Sequence, residues 1–167
     1  MSCPGPARFA VRIALPGIIV LLASVASAGA QETVLISVPM AVTFTVSNVS
    51  VSTAGAPSTT TVSFLNAILI PGKAIRVSVQ SDAAAFSAPS GASIPASNVS
   101  WNSLGAAGGI GSNGTLSSSS YALVFQGDSL RTSGQVDLGW TLAAPGSGIR
   151  AGAHQLTIRW KIESITP

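Results

Sequence analysis

The groups in this chain that could do chemistry are few. There is one histidine, His154. A lone histidine brings no second metal ligand at a useful spacing and no cysteine partner, whereas metal sites need several ligands, so it reads as a surface or turn residue. A Ser/His/Asp arrangement can be written with His154, any of many serines, and Asp82, Asp128 or Asp137. Such triads are defined by geometry and roles, and no G-x-S-x-G nucleophile motif stands behind this one. Asp82 and Asp128 are candidates for calcium, but hard cations take several carboxylates and the acids here are scattered. The run Gly109-Ile110-Gly111-Ser112-Asn113-Gly114 matches G-x-G-x-x-G. That motif holds phosphate only after a strand and at the start of a helix. Here a serine run follows, so the segment reads as a flexible surface loop. Taken together, the residues predict no catalytic group, no metal and no cofactor.

Aromatic residues offer a second kind of chemistry, since sugars stack on exposed rings. Trp101, Trp140, Trp160 and Tyr121 are the candidates. The three tryptophans fall on the apolar parity of their segments, which predicts that they form the core. The sequons at Asn48, Asn98 and Asn113 would matter in a eukaryotic secretory pathway; in a bacterium they are coincidences of a Ser- and Thr-rich chain.

The elements that must position these residues are strands. Val136, Leu138, Trp140 and Leu142 alternate with Gln135, Asp137, Gly139 and Thr141. Leu156, Ile158, Trp160 and Ile162 alternate with Thr157, Arg159, Lys161 and Glu163. Period-2 alternation marks half-buried strands, because successive side chains leave a strand on opposite faces. Pro145 to Gly148 joins the two as a hairpin turn or an inter-sheet connection. The longest alternation is Val34, Ile36, Val38, Met40, Val42, Phe44 and Val46, interrupted by Pro39. Proline cannot donate to a ladder, so this strand is expected to bend there and pair in two places. Further strands are expected at Thr59–Leu69, Ala74–Gln80, around Phe86, at Ala96–Asn102 with Val99 and Trp101 inward, and at Tyr121–Gln126. Pro71-Gly72 and Gly127-Asp128 mark turns, and Leu104 to Ser120 reads as a long loop. No helical period occurs after residue 30. The fold class predicted is all-β, an antiparallel β-sandwich of seven to nine strands, immunoglobulin-like or pilin-like.

The first thirty residues have a different character. Arg8 and Arg12 precede an apolar run, Ile13 to Val25, and small residues at Ala26-Ser27-Ala28 and Ala28-Gly29-Ala30 follow. This is the layout of a secretory signal peptide, and the run is short of the roughly 20 apolar residues of a membrane span. Residues 1–30 are thus expected to lie outside the fold, with cleavage after Ala28 or Ala30. Residues 31–167 form one domain, exported to the periplasm, the cell surface or the exterior. Of 8 Lys and Arg, removing Arg8 and Arg12 leaves six against 5 acids. The domain is nearly neutral and lacks a basic cluster, which argues against nucleic acid. Its only cysteine, Cys3, is also lost, so no disulfide holds it and the core must do so.

The closing segments carry a resemblance. Trp140-Thr141-Leu142 and Trp160-Lys161-Ile162, the latter preceded by Ala151-Gly152-Ala153-His154-Gln155-Leu156-Thr157-Ile158, resemble the ends of secreted bacterial β-sandwich domains. In these, an AG-x-(Y/H)-x-x-x-(I/L)-x-W strand closes the fold. WxL surface domains of Gram-positive bacteria and pilin-like subunits are the two groups concerned. The WxL resemblance implies attachment to peptidoglycan, although this chain is short for such a domain and has Ile162 in the second motif.

Two functional expectations follow. The first is an exported, non-enzymatic structural subunit of a fimbria, filament or surface layer, whose partners are copies of itself or other surface proteins. Its strand-exchange segment is Val34, Ile36, Val38, Met40, Val42, Phe44 and Val46, which would complete a neighbour's sheet. No charge lies between Thr33 and Lys73 to blunt this edge. The second is a binding module for cell-wall glycan or surface polysaccharide, which requires at least two exposed, coplanar aromatic rings.

Overall fold

The computed structural model describes residues 9–14, 31–88 and 91–167. The described residues form strands β1 (Phe9–Ala14), β2 (Thr33–Ser37), β3 (Ala41–Val46), β4 (Thr53–Ala54), β5 (Thr60–Ile68) and β6 (Ala74–Ser81). A 3-10 turn (Ala96–Asn98) leads into β7 (Val99–Ala107), β8 (Gly109–Gly111), β9 (Gly114–Thr115), β10 (Ala122–Gly127), β11 (Gly134–Leu142) and β12 (His154–Ile165). The first sheet runs β3-β1-β12-β6-β10-β8. The second runs β2-β5-β11-β7-β9, with β4 also on β11. Every pairing is antiparallel except that of β1 with β12. The expected all-β sandwich is thus the fold, and after residue 30 eight of its strands have five residues or more.

The core lies between the sheets because each strand presents its apolar parity inward. Val42, Phe44 and Val46 of β3 and Leu156 and Ile158 of β12 meet Val62, Phe64, Val136, Leu138 and Leu142 of the second sheet in one buried cluster. The rings of Phe64 and Phe125 bridge the sheets with centroids 6.0 Å apart. Trp101 and Trp140 face each other across β7 and β11 with centroids 5.5 Å apart. Both are buried; Trp160 is half-buried and packs against the cluster.

Turn-rich connections carry the chain from one sheet to the other, which for Pro145 to Gly148 is the second of the two alternatives its composition leaves open. Pro145 to Gly148 leads from β11 in the second sheet to β12 in the first. Ile70-Pro71-Gly72-Lys73 leads from β5 to β6, with Lys73 N–H donating to Ile70 O at 3.0 Å and Gly72 at φ +84°. Proline second and a left-handed glycine third is what such a turn requires.

Two expectations need correction. Leu104 to Ser120 is not one long loop: β7 runs on to Ala107, and β8 and β9 lie inside it. The segment around Phe86 makes only isolated bridges at Ala85 and Ser87. Residues 9–14, within the segment expected to be a leader, form β1 between β3 and β12 of the first sheet. The other described residues begin at 31, so the expected cleavage region lies outside them.

Candidate strand-exchange site

Among the described residues no group of three or more His, Cys, Asp or Glu could hold a metal ion. His154 is wholly buried, not a surface histidine, because it stands two residues before Leu156 on the inward parity of β12. Its Nε2 lies 3.0 Å from the carbonyl of Arg150; a carbonyl can only accept, so this nitrogen carries the proton. Asp137 lies in the other sheet, where it accepts from Thr61 Oγ1 at 2.6 Å. Asp128 sits in an exposed turn, 4.0 Å from Arg131. Asp82 is exposed after β6. These aspartates and the buried histidine are not assembled into a triad.

The G-x-G-x-x-G run is an ordered crossing between the sheets, not a flexible loop. β8 pairs with β10 and β9 pairs with β7. Trp101 Nε1 donates to Ser112 O at 2.8 Å, and Ser103 N–H donates to Asn113 Oδ1 at 2.8 Å. A Cβ on Gly111 would collide with Ser103 and Val136, and one on Gly114 with the Trp101 ring. Close approach of backbone to core, not a phosphate, explains these glycines.

The tryptophans do not form a sugar platform. Trp101 is 1% and Trp140 2% exposed, and Trp140 Nε1 donates to Thr60 Oγ1 at 2.8 Å. Tyr121 is partly exposed, with Lys161 Nζ 5.6 Å from its ring centroid.

The strand edges remain. The alternating segment Val34 to Val46 divides at Pro39, as its proline predicts. Among the described residues β2 lies on the edge of the second sheet, paired only with β5 and with a register shift between Thr33 and Leu35. Its Val34 and Ile36, and Val38 beyond it, are half-buried. Met40, at the crossing, is 71% exposed. Val42, Phe44 and Val46 are buried in β3. Beside β2 the outer face of the second sheet shows Leu35 opposite Leu65 and, one pair along, Ile68 opposite Thr33, with both leucines and Ile68 exposed. A shallow groove of about 490 Å³ runs next to it, lined by Leu65, Leu130, Arg131 and Gly134 among others.

The other edge feature is the place of β1. It pairs antiparallel with β3 from Phe9↔Val46 to Ala14↔Ala41, and parallel with β12 from Val11↔His154 to Ala14↔Thr157. β3 and β12 are not neighbours without it. On its far edge β3 bonds outside the sheet, through Thr43 N–H to Ala56 O at 2.9 Å and Ala56 N–H to Thr43 O at 2.8 Å. Backbone groups along a strand point to alternate edges, so those of Val42, Phe44 and Val46 are directed to β1. Sequence reasoning identified the segment Val34–Val46 but missed this gap, whose only signal is the apolar spacing of Phe9, Val11 and Ile13.

No known protein-family model matches the chain, and no curated protein matches it.

Proposed function

We propose that the chain is an exported, non-enzymatic structural subunit of a fimbria or filament, which joins copies of itself by β-strand addition. The observation that carries this reading is the position of β2: an apolar, uncharged strand at a sheet edge, held by one neighbour and separated from the core strand β3 by Pro39. Natural edges of this kind are normally blunted by charge or covered. Main-chain bonds from an added strand supply affinity, and its alternate side chains supply specificity. The nearly neutral surface after residue 30 removes the long-range repulsion that keeps proteins monomeric.

The test is the solution mass of the chain from Gln31, by light scattering alongside negative-stain microscopy. Filaments or large oligomers are expected, and deletion of residues 31–38 abolishes them. A cut reaching residue 46 would remove Val42, Phe44 and Val46 from the core and so confuse assembly with folding. A compact monomer at every concentration, with residues 31–38 intact, overturns the proposal.

A further inference from the structure

We infer that the gap between β3 and β12 is a strand-binding slot, and that a second copy of this chain fills it with residues 31–38. This rests on the strand-addition reading and specifies both sides of the contact.

The slot is one strand wide, because a single strand, β1, pairs with β3 on one edge and with β12 on the other. Its chemistry follows from register. Phe9, Val11 and Ile13 stand opposite Val46, Phe44 and Val42, and the last two also stand opposite His154 and Leu156. All five of those partners are buried. Directly opposed residues share a face of the sheet, so the occupant must be apolar at three alternate positions and free to be polar between them.

The residues that meet this demand in β1 belong to the segment whose layout is that of a cleaved leader. In the exported chain the slot is therefore vacated. The backbone groups of β3 and β12 that pair with β1 then lose their partners. Such an edge is a template for another chain.

Residues 31–38 match the vacancy. Val34, Ile36 and Val38 repeat the spacing of Phe9, Val11 and Ile13. The segment begins the exported chain, so it can leave without threading. Its Val34, Ile36 and Val38 are half-buried, among the described residues it pairs only with β5, and it ends at Pro39, so its departure leaves β3 in place. Filling its own slot by the shortest fold-back is disfavoured by parity. A two-residue turn at Pro39-Met40 sets Ile36 opposite Thr43 and Val34 opposite Thr45, which puts the apolar residues on the outer face. A neighbour's strand has no such constraint.

The test uses the exported chain, its N-terminus read by mass spectrometry, in single-cysteine variants. Leu35 and Thr45 are exposed and lie in different sheets, so one chain cannot bridge them in the fold described. With Val34, Ile36 and Val38 in the positions of Phe9, Val11 and Ile13, Leu35 comes opposite Thr45 of the neighbour; Thr43 covers a slip of two residues. Mixing Leu35→Cys with Thr45→Cys or Thr43→Cys under mild oxidation is expected to give the mixed disulfide dimer as the dominant product. Excess peptide of residues 31–40 is expected to abolish it, and the same peptide carrying Ile36→Asp to leave it intact. Assembly seen by light scattering without cross-linking at either position overturns the slot while sparing the subunit reading. Absence of both overturns the two together. A chain carrying Leu35→Cys with Thr43→Cys or Thr45→Cys that closes a disulfide within itself, or an exported chain that retains residues 9–14, also overturns it.

Discussion

The centre of the second sheet and the β3–β1–β12 side of the first are built from the same alternating apolar sequence, yet they depend on the rest of the chain differently. In the second sheet, β11 finds β5 on one side and β7 on the other, and residues 60–142 supply all three. Its two tryptophans pack on each other, and Thr60 satisfies the indole N–H of Trp140. In the first sheet, β3 and β12 come from opposite ends of the chain and are joined through a six-residue strand drawn from the leader-like segment. One region is closed by strands from a single stretch of the chain, whereas the other is closed through β1, and the proposed assembly acts on the latter.

The largest effect is expected from removing residues 1–30 while keeping the chain dilute enough to prevent association. Backbone protection spans the range from fraying edges to global stability within one protein. Amides of Val42, Phe44 and Val46 are expected to lose most of their hydrogen-exchange protection, while those of Val136 and Leu138 keep theirs. Equal protection in the two regions, read by exchange and mass spectrometry, would remove the distinction. Next in size is Trp140→Ala in the second sheet. Truncating a buried tryptophan costs about 3–5 kcal/mol, so the urea midpoint should fall sharply whether or not residues 1–30 are present. A change that depended on those residues would show the two regions to be coupled.

The sequence made one of these regions far more legible than the other. Alternation from Gln135 to Leu142 identifies β11 and its inward residues, because a half-buried antiparallel strand writes its burial into its parity. The same rule extended two residues back from Leu156 places His154 in the core, whereas a lone histidine before a strand reads as a surface or turn residue. Pro39 correctly marks the switch between sheets. What parity cannot give is the partner of each strand. Pro145 to Gly148 has the composition of a hairpin turn, but whether it closes a hairpin or crosses between sheets depends on long-range packing. The glycines at 111 and 114 read as part of a flexible surface loop, because only the folded packing brings the Ser103 side chain and the Trp101 ring to where their Cβ atoms would be. The segment Val34–Val46 was legible as a unit that bends at Pro39; that its first half lies at a sheet edge while its second half is buried in the core was not.

A smaller effect concerns the second sheet. Gly114→Ala places a methyl group against Trp101 with no space to receive it. Overpacking of this kind costs about 1–3 kcal/mol. The loss should appear in thermal or urea unfolding and remain unchanged when a peptide of residues 31–40 is added, because the peptide acts on the other region. Rescue by that peptide would mean that Gly114 and the slot belong to one cooperative element.

The smallest change tests what keeps β2 at home. One carboxylate oxygen of Glu32 accepts from Ile70 N–H at 2.9 Å and from Ser164 Oγ at 3.0 Å. Ile70 follows β5 in the second sheet and Ser164 lies in β12 of the first, so this residue pins the start of β2 to both layers. A hydrogen bond in a folded protein contributes about 0.5–1.5 kcal/mol net, and partial access to water places Glu32→Ala toward the lower end of that range. The sign of its effect separates two roles. If Glu32 serves only the folded monomer, the variant is slightly less stable and assembles no faster. If it restrains a strand that must be released, the lost bonds raise the population of freed β2, and assembly followed by light scattering becomes faster as monomer stability falls. Glu32→Gln, which keeps an acceptor oxygen, should lie between the alanine variant and the parent chain.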